Sequence, residues 1–197
     1  MGGQTKNLTE LGLTARGGRS ATITGLAVDS REVREGTLFF ALPGSRVHGG
    51  EFIQYALRMG ASAILTDAVG AEIAAQELSA SDAALVISEA PREALARTAA
   101  LWFEAQPEMM VAVTGTNGKT SVASFVRQIW TELGYAAVNV GTTGVEGAWN
   151  APLAHTTPEP ITLHRALAKA AAHGVTHAAM EASSHGLDQR RLDGVTL

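Results

Sequence analysis

Two glycines, a lysine and three threonines crowd into Thr114-Gly115-Thr116-Asn117-Gly118-Lys119-Thr120. Those types at that spacing hold phosphate. Glycines let backbone N–H groups turn inward on an anion, the lysine reaches the outer phosphates, and the next hydroxyl ligates Mg²⁺. The common form of such a loop has a glycine where this chain has Val113. Further along, Glu181 precedes Ser183-Ser184-His185-Gly186, and Arg191 follows. A carboxylate beside a phosphate loop suits a hard cation, and the planar fork of Arg191 suits a carboxylate or phosphate.

The elements that must hold these groups are readable. Met109 to Val113 is an apolar run, expected as a buried strand. After the loop, Val122, Phe125, Val126, Ile129, Trp130 and Leu133 follow helical spacing, and Gly134 marks the stop. The helix N-terminus adds partial positive charge beneath the loop. Ala136 to Val140 reads as the next strand, ending at Gly141-Thr142-Thr143-Gly144. Val145 to Ala154 reads as irregular. Thr157 is expected to cap a helix with Pro158 in its first turn, Leu163 and Leu167 on its apolar face and Gly174 at its end. Thr176 to Met180 is a further strand, closed by Glu181. Ligands gather at the carboxyl ends of strands in open parallel sheets, so Thr114, Gly141 and Glu181 are expected in one crevice.

The earlier part of the chain repeats the alternation. Leu8, Leu11 and Leu13 suggest one short helix ended by Gly17-Gly18. Strands are expected at Ile23–Val28, Thr37–Leu42, Ala63–Leu65 and Ala84–Ile87. Helices are expected around Phe52–Leu57 and over Ala71–Leu78, and a third begins at Pro91 with Leu95, Thr98, Leu101 and Trp102 on one face. Asp29-Ser30-Arg31 is a polar turn at a strand end. Strands alternating with helices imply an α/β class with a mostly parallel sheet. The sheet pattern restarts near residue 90, where a domain boundary is expected.

The chain has 197 residues, 46% of them hydrophobic and 17% charged, enough to bury a core. A net charge of -4 without a Lys/Arg run argues against nucleic acid as a partner. With no cysteine, there is neither a disulfide framework nor a thiolate metal site. The polar N-terminus carries no apolar signal core and no stretch reaches membrane-span length, so the cytoplasm is the expected compartment and no membrane a partner. The strands after residue 107 are few for a phosphate-loop sheet, so the chain is expected to be part of a longer enzyme.

The loop Thr114–Thr120 resembles that of the Mur ligases and the related folylpolyglutamate synthetases. Asp29-Ser30-Arg31 with Gly36-Thr37-Leu38-Phe39-Phe40-Ala41 resembles the UDP-binding domain of Mur ligases. His155-Thr156-Thr157-Pro158 and Met180-Glu181-Ala182-Ser183-Ser184-His185-Gly186-Leu187 resemble the branch that adds the third peptide residue. The resemblance covers nearly the whole chain. It implies a UDP-sugar-binding α/β domain at 1–90 and the first part of a central ATP-binding domain at 91–197. It also implies ATP-driven joining of a diamino acid, meso-diaminopimelate or L-lysine, to UDP-N-acetylmuramoyl-L-alanyl-D-glutamate through an acyl phosphate, by a monomer.

Carried over by position, Thr114 to Thr120 bind ATP, with Lys119 catalytic, and Thr120 and Glu181 hold Mg²⁺. Val28 and Ser30 correspond to uridine contacts, and Ser45, Arg46 and Val47 to a loop near the UDP. Thr156, Thr157, Ser183, Gln189 and Arg191 correspond to substrate contacts. His48-Gly49 stands where Asp-Gly is usual, and Ser121 where another threonine is common. The family's carbamylated lysine and amino-acid-binding domain match nothing in this chain. His185 is assigned no catalytic role, and His155, His164, His173 and His177 read as solvent or core residues. Competing readings are a folylpolyglutamate-type ligase, a non-catalytic nucleotide module and a phosphate-loop kinase.

Overall fold

Every residue of Thr37–Ala41 is buried in the computed structural model, which describes residues 4–197. A strand with no polar face belongs inside a parallel sheet covered on both sides. The chain divides into two units, one running to Trp102 and the other from Phe103 to Leu197.

The first unit opens with β1 (Lys6–Asn7), paired antiparallel with β2 (Thr22–Ile23). The helix expected over Leu8–Leu13 does not form. Asn7 and Glu10 close a turn reciprocally, the Glu10 N–H donating to Asn7 Oδ1 at 2.9 Å and the Asn7 N–H to Glu10 Oε2 at 2.7 Å. Gly12, at φ 70°, then leaves the helical region. Leu8 and Leu11 are nevertheless buried, so their spacing reported packing without a helix.

The strand expected at Ile23–Val28 is interrupted at Thr24 and continues as β3 (Gly25–Ala27). There follow β4 (Thr37–Ala41), α1 (Ile53–Arg58), β5 (Ala63–Thr66), α2 (Ala68–Ile73), α3 (Ala75–Ser79), β6 (Ala84–Ile87) and α4 (Pro91–Phe103). The sheet order is β3-β4-β5-β6, parallel throughout. The single helix expected over Ala71–Leu78 is two, because Ala74 at φ -107° and ψ 25° breaks the helical path. Helix α4 stays with the first unit up to Trp102, so the division falls later than residue 90. Gln4 donates to the Trp102 carbonyl, Lys6 to that of Leu101 and Arg92 to that of Pro43.

The second unit runs β7 (Met109–Val113), α5 (Lys119–Glu132), β8 (Ala137–Gly141), β9 (Gly144–Gly147), α6 (Pro160–Ala172), β10 (His177–Glu181) and α7 (Ser184–Asp188). Its sheet order is β7-β10-β8-β9, with β7, β10 and β8 parallel and β9 antiparallel. Val138, Val140, Leu163, Leu167 and Met180 form the centre of its core. The stretch expected to be irregular, Val145 to Ala154, overlaps β9, and Val145 bridges Ala151. The cap of α6 is Glu159, not Thr157, and Pro160 rather than Pro158 enters the first turn. Glu159 accepts from the N–H groups of Ile161 and Thr162 at 2.8 and 2.7 Å. Thr157 cannot cap because its hydroxyl is committed elsewhere. Among the described residues no helix is long and apolar enough to cross a membrane.

Candidate functional site

The register of the second sheet puts the carboxyl ends of three strands side by side, with Glu181 opposite Val113 and Met180 opposite Val140. From β7 the chain enters an exposed loop, Thr114 to Gly118. Gly115 at φ 143° and Gly118 at φ 79° take conformations that L side chains rarely adopt. Gly118 stands at the N-terminus of α5, whose first residues are Lys119 and Thr120. Lys119 Nζ donates to the Gly115 carbonyl at 2.8 Å, which holds the ammonium over the loop. Backbone donors, a helix N-terminus and an ammonium converge there on anion-binding geometry. Val113 lies in β7 itself, so the turn begins after it and needs no glycine at that position.

Thr120 Oγ1 donates to Glu181 Oε2 at 3.0 Å, joining the first turn of α5 to the end of β10. Glu181 is 3% exposed. Its other oxygen accepts the Thr142 N–H at 2.9 Å. A β-carbon on Gly141 would lie 2.0 Å from Glu181 Oε1, so this close approach requires glycine. A hydroxyl and a carboxylate are hard oxygen donors, the set Mg²⁺ takes when phosphate and water complete its shell. Among the described residues, no group of three or more His, Cys, Asp or Glu gathers into an all-protein metal cage. The residues present therefore fit Mg²⁺ held jointly with a nucleotide.

The adjoining chain is tied to the backbone of the same residue. Thr157 donates to the Glu181 carbonyl at 3.0 Å and accepts the Ser183 N–H at 3.0 Å. Ser183 caps α7 through the Gly186 N–H at 3.0 Å. Gly186 packs under Thr157, where a β-carbon would come within 2.6 Å of its methyl group. Arg191 donates to the Thr157 carbonyl and, from Nη2, to Gln189 Oε1 at 2.7 Å. Thr156 Oγ1 shares a 2.9 Å hydrogen bond with Thr142. The second unit thus brings Lys119, Thr120, Thr156, Thr157, Glu181, Ser183, Gln189 and Arg191 to one end of its sheet. Thr142 was not singled out from sequence. Its signal was weak, a threonine after a strand that any turn accepts.

In the first unit, a cleft of about 600 Å³ is lined by Val28, Ser30, Val47, Gly49 and Phe52, with Asp29, Arg31, Phe39, Phe40 and Leu42. Ser45 and Arg46 are exposed on the loop leading to Val47. Asp29 accepts the Arg31 backbone N–H at 2.9 Å and pairs with its guanidinium. The Arg31 side chain holds the Asp29 carboxyl down to about 2. His48 closes the turn that follows it, since its Nδ1 accepts the Gly50 N–H at 2.9 Å. Its Nε2 faces Asp67 Oδ1 at 3.1 Å. A β-carbon on Gly49 would strike the main chain of Ala41 and Leu42, at 2.8 Å or less.

Three other histidines pack within the second unit. His164 is buried in α6, which pushes its pKa down to about 4. His173 stacks on Trp149, and His177 packs against Trp130 and Tyr135.

Comparisons with known proteins bear on this geometry. Residues 113–197 match a family model described as Mur ligase middle domain, and residues 22–103 one described as Mur ligase family, catalytic domain. A UDP-N-acetylmuramoyl-L-alanyl-D-glutamate–2,6-diaminopimelate ligase of Brucella melitensis is 52% identical over 178 residues, 89% of this chain and 35% of that protein. The protein of the same name from Rhizobium meliloti is 49% identical over 194 residues, 97% of this chain and 38% of its own length. A solved structure of such a ligase superposes with a TM-score of 0.75 at 29% identity, covering 97% of this chain and 38% of that one. The chain thus spans a little over a third of the relatives it matches.

Proposed function

The chain belongs to the Mur ligase family, and from that premise we propose that it supplies the UDP-sugar-binding and phosphate-loop parts of a 2,6-diaminopimelate-adding ligase. Its acyl substrate on this reading is UDP-N-acetylmuramoyl-L-alanyl-D-glutamate, the reaction is driven by ATP, and the protein acts as a cytoplasmic monomer in peptidoglycan precursor synthesis. The observation that carries the reading is the Thr120–Glu181 hydrogen bond, which joins a phosphate loop to a strand end flanked by Thr156 and Thr157.

A carboxylate is a poor acyl donor, because oxide would have to leave. Phosphorylation by the γ-phosphoryl group of ATP converts it to an acyl phosphate, from which phosphate leaves when an amine attacks. The protein's share is to hold two anions in line and offset their charge. Lys119 and the N–H groups around Gly118 receive the phosphates. Thr120 and Glu181 would hold Mg²⁺, which supplies charge neutralisation at the transferring phosphoryl oxygens. Thr156 and Ser183 present hydroxyl groups toward the acyl substrate, Thr157, its hydroxyl buried between the Glu181 carbonyl and the Ser183 N–H, holds them in place, and Arg191 with Gln189 braces that segment. In the first unit, Val28 and Ser30 with the 45–47 loop are proposed to bind uridine diphosphate.

The test is ADP release by the intact protein that carries these residues. Turnover is expected only when both the UDP-linked muramoyl dipeptide and diaminopimelate are present. Turnover with a folate and glutamate, or phosphate release without any amine, would overturn the assignment.

A further inference from the structure

Thr142 lies just past the end of β8, between two side chains that the proposed ligase uses. Its N–H donates to Glu181 Oε1 at 2.9 Å, and its hydroxyl lies 3.5 Å from Oε2. The same hydroxyl bonds Thr156 Oγ1 at 2.9 Å. Glu181 Oε2 is also the oxygen that accepts from Thr120, at 3.0 Å. One side chain therefore touches both the carboxylate proposed for the cation and the threonine proposed for the acyl substrate.

A hydroxyl carries one proton, and Thr142 has two acceptors for it. Donated to Glu181 Oε2, the proton competes with a cation for that oxygen. Donated to Thr156, it leaves Oε2 to the cation and turns the Thr156 proton outward. We propose that Thr142 is a positioning residue that couples cation binding at Glu181 to acyl-substrate binding at Thr156. The proposal rests on the ligase reading of this site. A cation on Oε2 favours the orientation in which Thr156 donates to an anionic substrate. By linkage, the substrate must tighten the cation by the same factor.

The experiment measures Mn²⁺, a spectroscopic substitute for Mg²⁺, by electron paramagnetic resonance in the intact protein. A non-hydrolysable ATP analogue is present, with or without the UDP-linked muramoyl dipeptide. In the unaltered protein the dipeptide is expected to tighten Mn²⁺ about fivefold or more. Thr142→Val is expected to abolish that tightening, and Thr142→Ser to restore it. Should the valine variant fail to fold, Thr142→Ala removes the same hydroxyl. Full tightening in the folded hydroxyl-less variant, or none in the unaltered protein, would overturn the proposal. Thr120→Val separates the two levels. If it leaves Mn²⁺ affinity unchanged, the reading of the site fails. If it weakens Mn²⁺ while the Thr142 variants keep full tightening, only the coupling role fails.

Discussion

The carboxylate of Glu181 occupies the space that a β-carbon on Gly141 would need, 2.0 Å from Oε1. The Glu181 side chain alone fills the space between these two strand ends. Gly141→Ala should push the carboxylate off the Thr142 N–H and away from Thr120. Overpacking of this kind costs about 1–3 kcal/mol in stability. Displacing a ligand-supporting contact should weaken Mg²⁺-nucleotide binding about tenfold or more. Calorimetric titration and thermal unfolding of the same variant measure both, and an alanine that binds as well as glycine would contradict the packing argument.

Lys119 spans its own loop to the Gly115 carbonyl at 2.8 Å, so its charge sits where phosphate is proposed to bind. Lys119→Ala should leave the fold intact, since the residue is only half-buried at the start of α5. Loss of a charge-assisted contact costs roughly 1.5–3 kcal/mol of binding. An unchanged dissociation constant for ATP, measured by titration calorimetry, would exclude the phosphate-loop reading.

His164 is 3% exposed, and among the described residues its Nε2 has no hydrogen-bond partner. Burial pushes its pKa down from 6.5 to about 4. The unfolded chain therefore binds a proton near pH 6.5 that the folded chain refuses until about pH 4. Stability is complete above the unfolded value and falls as pH drops through that window, by on the order of 3 kcal/mol. His164→Leu should flatten this part of the stability curve. Denaturant unfolding at several pH values checks it, and an unchanged slope between pH 4 and 6.5 would remove His164 as the source.

How far these features could be read from the residues depended on local or distant causes. Lys119, Thr120 and the glycines around them were legible because strand, turn and helix are contiguous and each residue type has few other uses. Glu181 was legible as a strand end. Thr157 was misread as a cap because Thr157-Pro158 and Glu159-Pro160 offer the same local pattern. Only the distant Glu181 carbonyl and Ser183 N–H decide between them. Strand β9 was hidden by Gly144 and Gly147, whose φ values of 101° and 131° carry no periodic signal. The hydroxyl bridge of Thr142 depends on a partner in another loop, which no spacing along the chain encodes.

Helix α4 decides where the first unit ends. Residues Leu95, Ala96 and Ala99 are buried, and Ala94 and Thr98 line a cleft with Leu11 and Val86. Gln4 and Lys6 reach forward to the carbonyls of Trp102 and Leu101, while Arg92 reaches back to Pro43. A chain cut at Ala90 loses all of these. Exposure of the apolar surface that α4 covers should cost roughly 2 kcal/mol or more. A chain ending at Trp102 keeps them and should unfold cooperatively. Thermal unfolding of the two chains side by side is the measurement. Equal midpoints would show that α4 adds nothing to the first unit and that the fold closes near residue 90.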